Sequence, residues 1–149
     1  MADRIEKTVD LKAPIDRVWR ALTDHEEFGA WFRVKLNEPF AVGQVTTGRI
    51  TLEGYEHMLW RSTVERMDAP HVFAFTWPHA DDPTSPESID AAPVLRVEFR
   101  LEELPHGTRL TIVESGFEAL PADSRTTIMR RNEGGWAQQV SNIKAHVER

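Results

Sequence analysis

The sequence predicts an α+β domain. A curved antiparallel sheet of about seven strands is wrapped around a long C-terminal helix, and two short helices follow the first strand. Three observations carry this expectation. Apolar residues alternate with polar ones over most of residues 34–117, with turn residues at short intervals. Met129, Trp136, Val140, Ile143 and Val147 recur on one helical face near the end of the chain. Between the first strand-like stretch and the rest lie two short helical patterns.

Taken in order, Ile5, Val9 and Leu11 alternate with charged and polar residues, which is a strand with one buried face. Ala13-Pro14 opens a helix, because proline suits the first helical position. Ile15, Val18, Trp19 and Leu22 then form its buried stripe. Thr23 and Glu26 have capping-box spacing for a second short helix, ending near Phe28–Phe32. From Val34 to Phe117 the pattern reads as strand and turn throughout. A short strand precedes Asn37-Glu38-Pro39, and Thr46–Glu53 and His57–Met67 are strand-like. Val72–Trp77 carries Phe73, Phe75 and Trp77 on one face. Leu95, Val97, Phe99 and Leu101 alternate with Arg96, Glu98, Arg100 and Glu102, whose charges suit an outer face with cross-strand pairs. Pro105-His106-Gly107 is a hairpin turn. Short connections imply antiparallel neighbours, hence a meander.

The last stretch, from about Pro121 to Val147, reads as one helix of roughly 40 Å. A helix that long with one apolar stripe lies along the only large apolar surface available, the inner face of the sheet. Gly134-Gly135 in its middle permits a kink or a close backbone approach. Pro78–Pro93 holds four prolines and four acidic residues. It reads as a long loop, of the kind that serves as a lid or binding segment.

Composition narrows the function. The chain has 149 residues, 18 Lys+Arg against 24 Asp+Glu, a net charge of −6 and no cysteine. That length fits one domain, residues 1–149. Without cysteine there is no disulfide, thiolate metal site or cysteine nucleophile. An acidic balance argues against nucleic-acid binding, which needs a basic face. Charges at the start of the chain replace the apolar stretch of a signal peptide, and no window approaches the ~20 apolar residues of a membrane span. A cytoplasmic location is the expectation.

The stretch from Ala13 to Asp24, APIDRVWRALTD, the pair Trp31-Phe32, and Asn132-Glu133-Gly134-Gly135-Trp136 leading into the helical stripe together resemble the START-like superfamily (SRPBCC, the helix-grip fold of birch-pollen-type allergens). Within it the chain is similar to the domain of activators of the heat-shock protein 90 ATPase and their bacterial homologues. The resemblance spans essentially the whole chain. It implies a cavity between the C-terminal helix and the sheet, and it implies no invariant catalytic set. Members of the superfamily include lipid carriers, polyketide cyclases and aromatases, hormone-binding proteins and chaperone co-factors, so fold does not fix function.

The leading expectation is the binding of a small hydrophobic molecule or lipid in that cavity, with no cofactor. Trp31, Phe32, Phe73, Phe75, Trp77, Phe99 and Trp136 are the candidate ligand-binding residues. Trp19 and Trp136 also sit on helical core stripes, where anchoring a helix is the plainer role. Pro78–Pro93, with Trp31-Phe32, would gate entry. Two alternatives stay open, a chaperone co-factor and a cyclase- or aromatase-type enzyme using the same cavity. For the latter, His57, read as facing inward from a strand, and Glu114, which follows Leu110 and Ile112 on their face, are the catalytic candidates. Arg49 or Arg61 would partner a buried Glu114. His79, at the start of the long loop, is a further candidate base. No two of the six histidines have the spacing of paired metal ligands, so no metal is expected. Ser115 and Ser124 lack a nucleophile-elbow context. Asp123, Arg125, Arg130 and Arg131 read as a solvated helix face.

Overall fold

The computed structural model describes residues 4–149; Met1–Asp3, which contribute to the reading of the N-terminal charges, lie outside it. Strand β1 (Ile5–Leu11) leads into helices α1 (Ile15–Thr23) and α2 (His25–Phe32). Strands β2 (Val34–Leu36), β3 (Val45–Ile50), β4 (Leu59–Asp68) and β5 (Val72–Pro78) follow. After a short helix α3 (Pro86–Ala91) come β6 (Val94–Leu104) and β7 (Gly107–Ser115), then helix α4 (Ala122–Val147). The strands form one seven-stranded sheet in the order β1-β7-β6-β5-β4-β3-β2. Every neighbouring pair is antiparallel. The meander therefore runs from β2 to β7, and β1 closes it by pairing with the last strand.

Alternation decides which residues turn inward. On β7, Thr108, Leu110, Ile112 and Glu114 are all buried while the residues between them are half-exposed. On β6, Leu95, Val97, Phe99 and Leu101 form the inner face. On the outer face, Arg96 and Arg100 both pair with Glu98 of the same strand, and Arg96 also reaches Glu65 of β4 across β5. The expected cross-strand pairing is thus only part of the arrangement. Two arginines flanking one carboxylate along a strand cover it, so Glu98 is buried even on the outer face.

Helix α1 starts after Pro14 and buries Ile15, Val18, Ala21 and Leu22. The cap of α2 differs from the capping-box expectation. Asp24, one residue later than Thr23, accepts hydrogen bonds from the backbone N–H groups of Glu26 and Glu27. Thr23 instead donates its hydroxyl back to the carbonyl of Trp19. Asp24 ends one helix and begins the next, so α1 and α2 form a tight corner. Phe28 of α2 is fully buried at the centre of the aromatic core, with ring centroids 4.9–6.5 Å from those of Trp31, Phe32, Phe40, Trp60, Phe75 and Phe99. Gly29 lets α2 approach β2, since a Cβ there would lie 2.3 Å from the carbonyl oxygen of Val34.

Two strand boundaries and one element depart from the sequence reading. β3 stops at Ile50 and β4 begins at Leu59, so Glu53 and His57 belong to the turns between them. The long β5–β6 connection is not all loop. Ser85 caps α3 by accepting from the Ser88 N–H, with Pro86 at the first helical position.

Helix α4 is continuous over 26 residues, about 39 Å at 1.5 Å per residue. Trp136, Ile143 and Val147 are its buried residues, with Met129 and Val140 packed at the margin of the core. Its C-terminal end is fastened to the α1–α2 corner. Glu27 accepts from Arg17 at 2.6 Å, Arg20 at 2.7 Å and the His146 imidazole at 3.0 Å, while Arg17 also donates to the His146 carbonyl. Burial raises the Glu27 carboxyl, but the hydrogen bonds from His146, Arg17 and Arg20 outweigh it and hold the group at about 2, against 4.5 unperturbed. A depressed carboxyl stabilises the fold fully above its unfolded value and less as the pH falls toward its folded one. The stabilisation from Glu27 is therefore expected to fade between about pH 4.5 and pH 2. Urea unfolding of the wild type and of Glu27→Gln should differ at pH 7, differ less at pH 3 and converge only as the pH falls to about 2; a difference that does not shrink between pH 4.5 and pH 2 would contradict this.

Candidate functional site

A cavity of about 770 Å³ opens between α4 and the inner face of the sheet, at the end where β5 leaves the sheet and β6 enters it. The sheet supplies Trp60, Trp77 and Leu95, and α2 supplies Phe32. Helix α4 contributes Ile128, Asn132, Gly135, Trp136 and Gln139, residues spaced three and four apart and hence on one face. Four rings form a continuous wall. Trp77 stacks on Trp136 with centroids 5.7 Å apart and planes at 29°. Phe32 lies 5.2 Å from Trp60 and 6.2 Å from Trp136, and Trp60 lies 5.3 Å from Trp77. The Gln139 side-chain amide donates to the Phe32 carbonyl at 3.1 Å, tying the end of α2 to α4 beside the wall.

Behind the rings lies Glu114, with no exposed surface. Trp77 Nε1 donates to its Oε2 at 2.8 Å, and Trp136 Nε1 donates to its Oε1 at 2.9 Å. Asn132 Nδ2 donates to Oε1 at 3.2 Å. Burial pushes the carboxyl above the usual carboxylate range, and these three hydrogen bonds pull against that. The inward orientation expected for Glu114 is present, but its partners are not Arg49 or Arg61. Arg49 donates to the Glu56 carbonyl, and Arg61 pairs with Asp90 of α3; both belong to the outer half of the sheet.

The mouth is built by the β5–β6 connection. Pro78, His79, Ala80, Asp81 and Pro83 line the rim. Beyond them the chain crosses the end of the sheet, and α3 packs on the outer face with Ile89 buried. The Pro83 carbonyl accepts from the Leu59 N–H at 2.9 Å, and the Arg61–Asp90 pair fastens α3 to β4. A second hollow of about 730 Å³ lies on that outer side, between β3, β4 and α3. At the rim, Arg131 Nη2 lies 3.5 Å from His79 Nε2. Burial, with the nearby Arg131 cation, moves the His79 imidazole below its ordinary 6.5, and Asp81 partly opposes this. Both larger effects favour the uncharged form of the His79 ring at the entrance.

Of the seven residues expected to bind a ligand, Phe32, Trp77 and Trp136 line the cavity. Trp31, Phe73, Phe75 and Phe99 are in the closed core instead. Trp31 Nε1 is spent on the Ala21 carbonyl at 2.8 Å, and Phe73 and Phe75 lie nearer the far end of β5, where Phe28 and Phe40 fill the space. His57 is exposed in the turn before β4, outside the cavity. Arg131 and Arg125 are not simply solvated. The first reaches the rim, and the second donates to the carbonyls of Glu118 and Leu120 ahead of α4. Trp60, Asn132, Gly135 and Gln139 were not among the candidates. The signal for the last three was present, as small and polar residues on the inward face of α4 where an apolar stripe should run unbroken. Gly134 and Gly135 make no close backbone approach: a Cβ at either meets nothing within 4 Å, and Gly135 borders the cavity.

A long helix gripped by a curved antiparallel sheet, with a cavity between them, defines a START-like (SRPBCC) protein. Residues 12–148 match the family described as Activator of Hsp90 ATPase homolog 1-like protein, and the chain belongs to that family. No curated protein matches the chain. Among solved structures it is similar to DynU16, a protein of the dynemicin biosynthetic locus, with a TM-score of 0.76 and 21% identity. That match covers 99% of this chain and 48% of DynU16, so the chain spans about half the length of that relative. A protein of Mesorhizobium loti gives a TM-score of 0.75 at 22% identity, covering 96% of this chain and 95% of that one. The Aha1 dimer from Colwellia psychrerythraea gives 0.70 at 19% identity, covering 99% and 97%. At these identities the neighbours show the fold alone. Among the described residues no helix is long and apolar enough to cross a membrane, and no group of three His, Cys, Asp or Glu is placed to hold a metal ion.

Replacing Glu114 by leucine would leave two indole N–H groups and one amide N–H without their acceptor. Each buried donor so stranded costs about 1–3 kcal/mol. Urea unfolding at neutral pH should show Glu114→Leu to be less stable than wild type by at least about 2 kcal/mol; equal stability would show that the carboxylate does not hold the two elements together.

Proposed function

We propose that this protein binds a small hydrophobic molecule in the cavity between α4 and the sheet. The observation that carries this reading is the aromatic wall of Phe32, Trp60, Trp77 and Trp136 around a space of about 770 Å³. That volume is in the range of cavities that take one small organic molecule. In a protein of this size, so large a space beside a closely packed core represents apolar surface left without partners, and a ligand that fills it recovers that burial at about 25 cal/mol per Å². The sparse polar groups, Asn132, Gln139 and the His79–Arg131 rim, suit orientation more than affinity. The β5–β6 connection serves as the entrance.

A second reading has one observation in its favour. The neutral imidazole of His79 at the rim is a group able to accept a proton from a bound molecule, as a cyclase- or dehydratase-type reaction requires. On that reading His79→Asn abolishes turnover and leaves binding intact. The chaperone co-factor reading rests on the family description and would appear as binding to a purified chaperone.

Gly135 offers a direct test of the cavity. Leucine there has open space and removes a helix-interior glycine, which favours the fold by up to about 1 kcal/mol. Because Gly135 borders the cavity, that side chain is expected to narrow it. Titration with the neutral probe N-phenyl-1-naphthylamine should show saturable binding to wild type, with affinity reduced about tenfold or more in Gly135→Leu and thermal stability equal or higher. Unchanged probe affinity in a folded Gly135→Leu would place the binding site elsewhere.

A further inference from the structure

We infer that the molecule held in this cavity carries a cationic amine or quaternary ammonium group on an apolar body, recognised by the half-buried Trp77 ring, with Trp136 stacked beside it, in front of the buried Glu114 carboxylate. The inference rests on the binding reading above and adds the charge class of the ligand. Its basis is the pairing of a buried acid with an aromatic wall. Glu114 accepts from two indoles and one amide, and it pairs with no Lys, Arg or His among the described residues. Three donors supply hydrogen bonds and no positive charge. A carboxylate buried without a counter-charge is unfavourable, and a cation close by relieves that.

Trp77 transmits the charge. Its N–H edge is taken up by Glu114 while its ring, half-buried, lines the cavity; Trp136, buried and stacked on Trp77, donates to the same carboxylate from behind. Donation to an anion polarises each ring toward a more negative face, which strengthens its attraction for a cation. The remaining polar groups of the interior are also spent. Trp60 Nε1 donates to the Ser62 hydroxyl at 3.0 Å, Gln139 Nε2 to the Phe32 carbonyl, and Asn132 Nδ2 to Glu114. The interior therefore has no free indole N–H to offer an anion. Arg131 and Asp81 stand at the rim, whereas Glu114, whose two oxygens accept from three N–H donors, is the acid behind the interior wall.

The test uses benzyltrimethylammonium and its neutral carbon isostere, neopentylbenzene, as competitors against bound N-phenyl-1-naphthylamine. In wild type the ammonium compound should displace the probe at a concentration at least about tenfold lower than its isostere. Glu114→Gln keeps the shape and one accepting oxygen, removes the charge and turns its amide N–H2 toward at least one of the donors; with both competitors referred to the probe affinity measured in the variant itself, the preference should fall to near unity. Equal or stronger displacement by the isostere in wild type would overturn the inference and leave the binding reading standing. A preference that survives in Glu114→Gln would also overturn it, because the carboxylate would not be its source. Failure of the probe to bind wild type at all would remove the binding reading, and this inference with it. If Glu114→Gln does not fold, the wild-type ratio alone decides.

Discussion

One carboxylate joins the two halves of this molecule. Glu114 lies at the inner end of β7, where the sheet faces α4, and it holds an indole from β5 and an indole and an amide from α4. A helix crossing a sheet over a cavity has no continuous apolar contact to fix its height or rotation there. Directional hydrogen bonds supply what packing cannot. They set the spacing of Trp77 and Trp136, and that spacing sets one wall of the cavity. At the other end of α4 the task is done by Glu27, with three donors from α1 and α4. The helix is thus fixed by a carboxylate near each end of its contact, one buried and one half-exposed.

Between these two points the interior divides. Around Phe28 the rings from α2, β4, β5, β6 and the Phe40 loop meet at 4.9–6.5 Å and close the space. Toward the β5–β6 end the same inner faces diverge and the space opens. The difference is not one of composition, since both regions are aromatic. It follows from α2, which fills the sheet's hollow on one side only and stops at Phe32 where Arg33 turns the chain with a positive φ of 73°.

This division explains how much was legible in the sequence. Alternation in Leu95–Leu101 and the stripe from Met129 to Val147 identify the sheet, the long helix and their buried faces, because both depend on local period alone. The same period places Phe73 and Trp77 on one face but says nothing of which end of the strand is plugged. Four residues along a strand is about 13 Å, enough to separate closed core from cavity. Glu114 stands out in the sequence as a charge on an apolar face; its partners, 18, 22 and 37 residues away, do not. Arginine was the natural expectation for a buried acid, and indole N–H groups have no charge pattern to reveal them. His57 was misplaced for a simpler reason: turn and strand residues are mixed between Thr51 and Met58, and alternation there runs on past the true end of pairing. Helix α3, with a proline and two acids in six residues, is held by its Ser85 cap, by the burial of Ile89 and by the Arg61–Asp90 pair to β4, none of them visible to propensity.

The β5–β6 connection is anchored at both margins, by the Leu59–Pro83 backbone hydrogen bond on one side and by α3 on the outer face on the other. The rim residues ahead of these anchors, Pro78 to Asp81, contribute little to the core. Loop closure costs little more as length grows, roughly 0.6 kcal/mol for each doubling. The entrance is therefore a replaceable part. Insertions or exchanges between Pro78 and Pro83 would reshape the mouth of the cavity while the sheet, the helix and the buried acid persist, so on the binding reading proposed above a handful of rim residues would suffice to change what the scaffold admits.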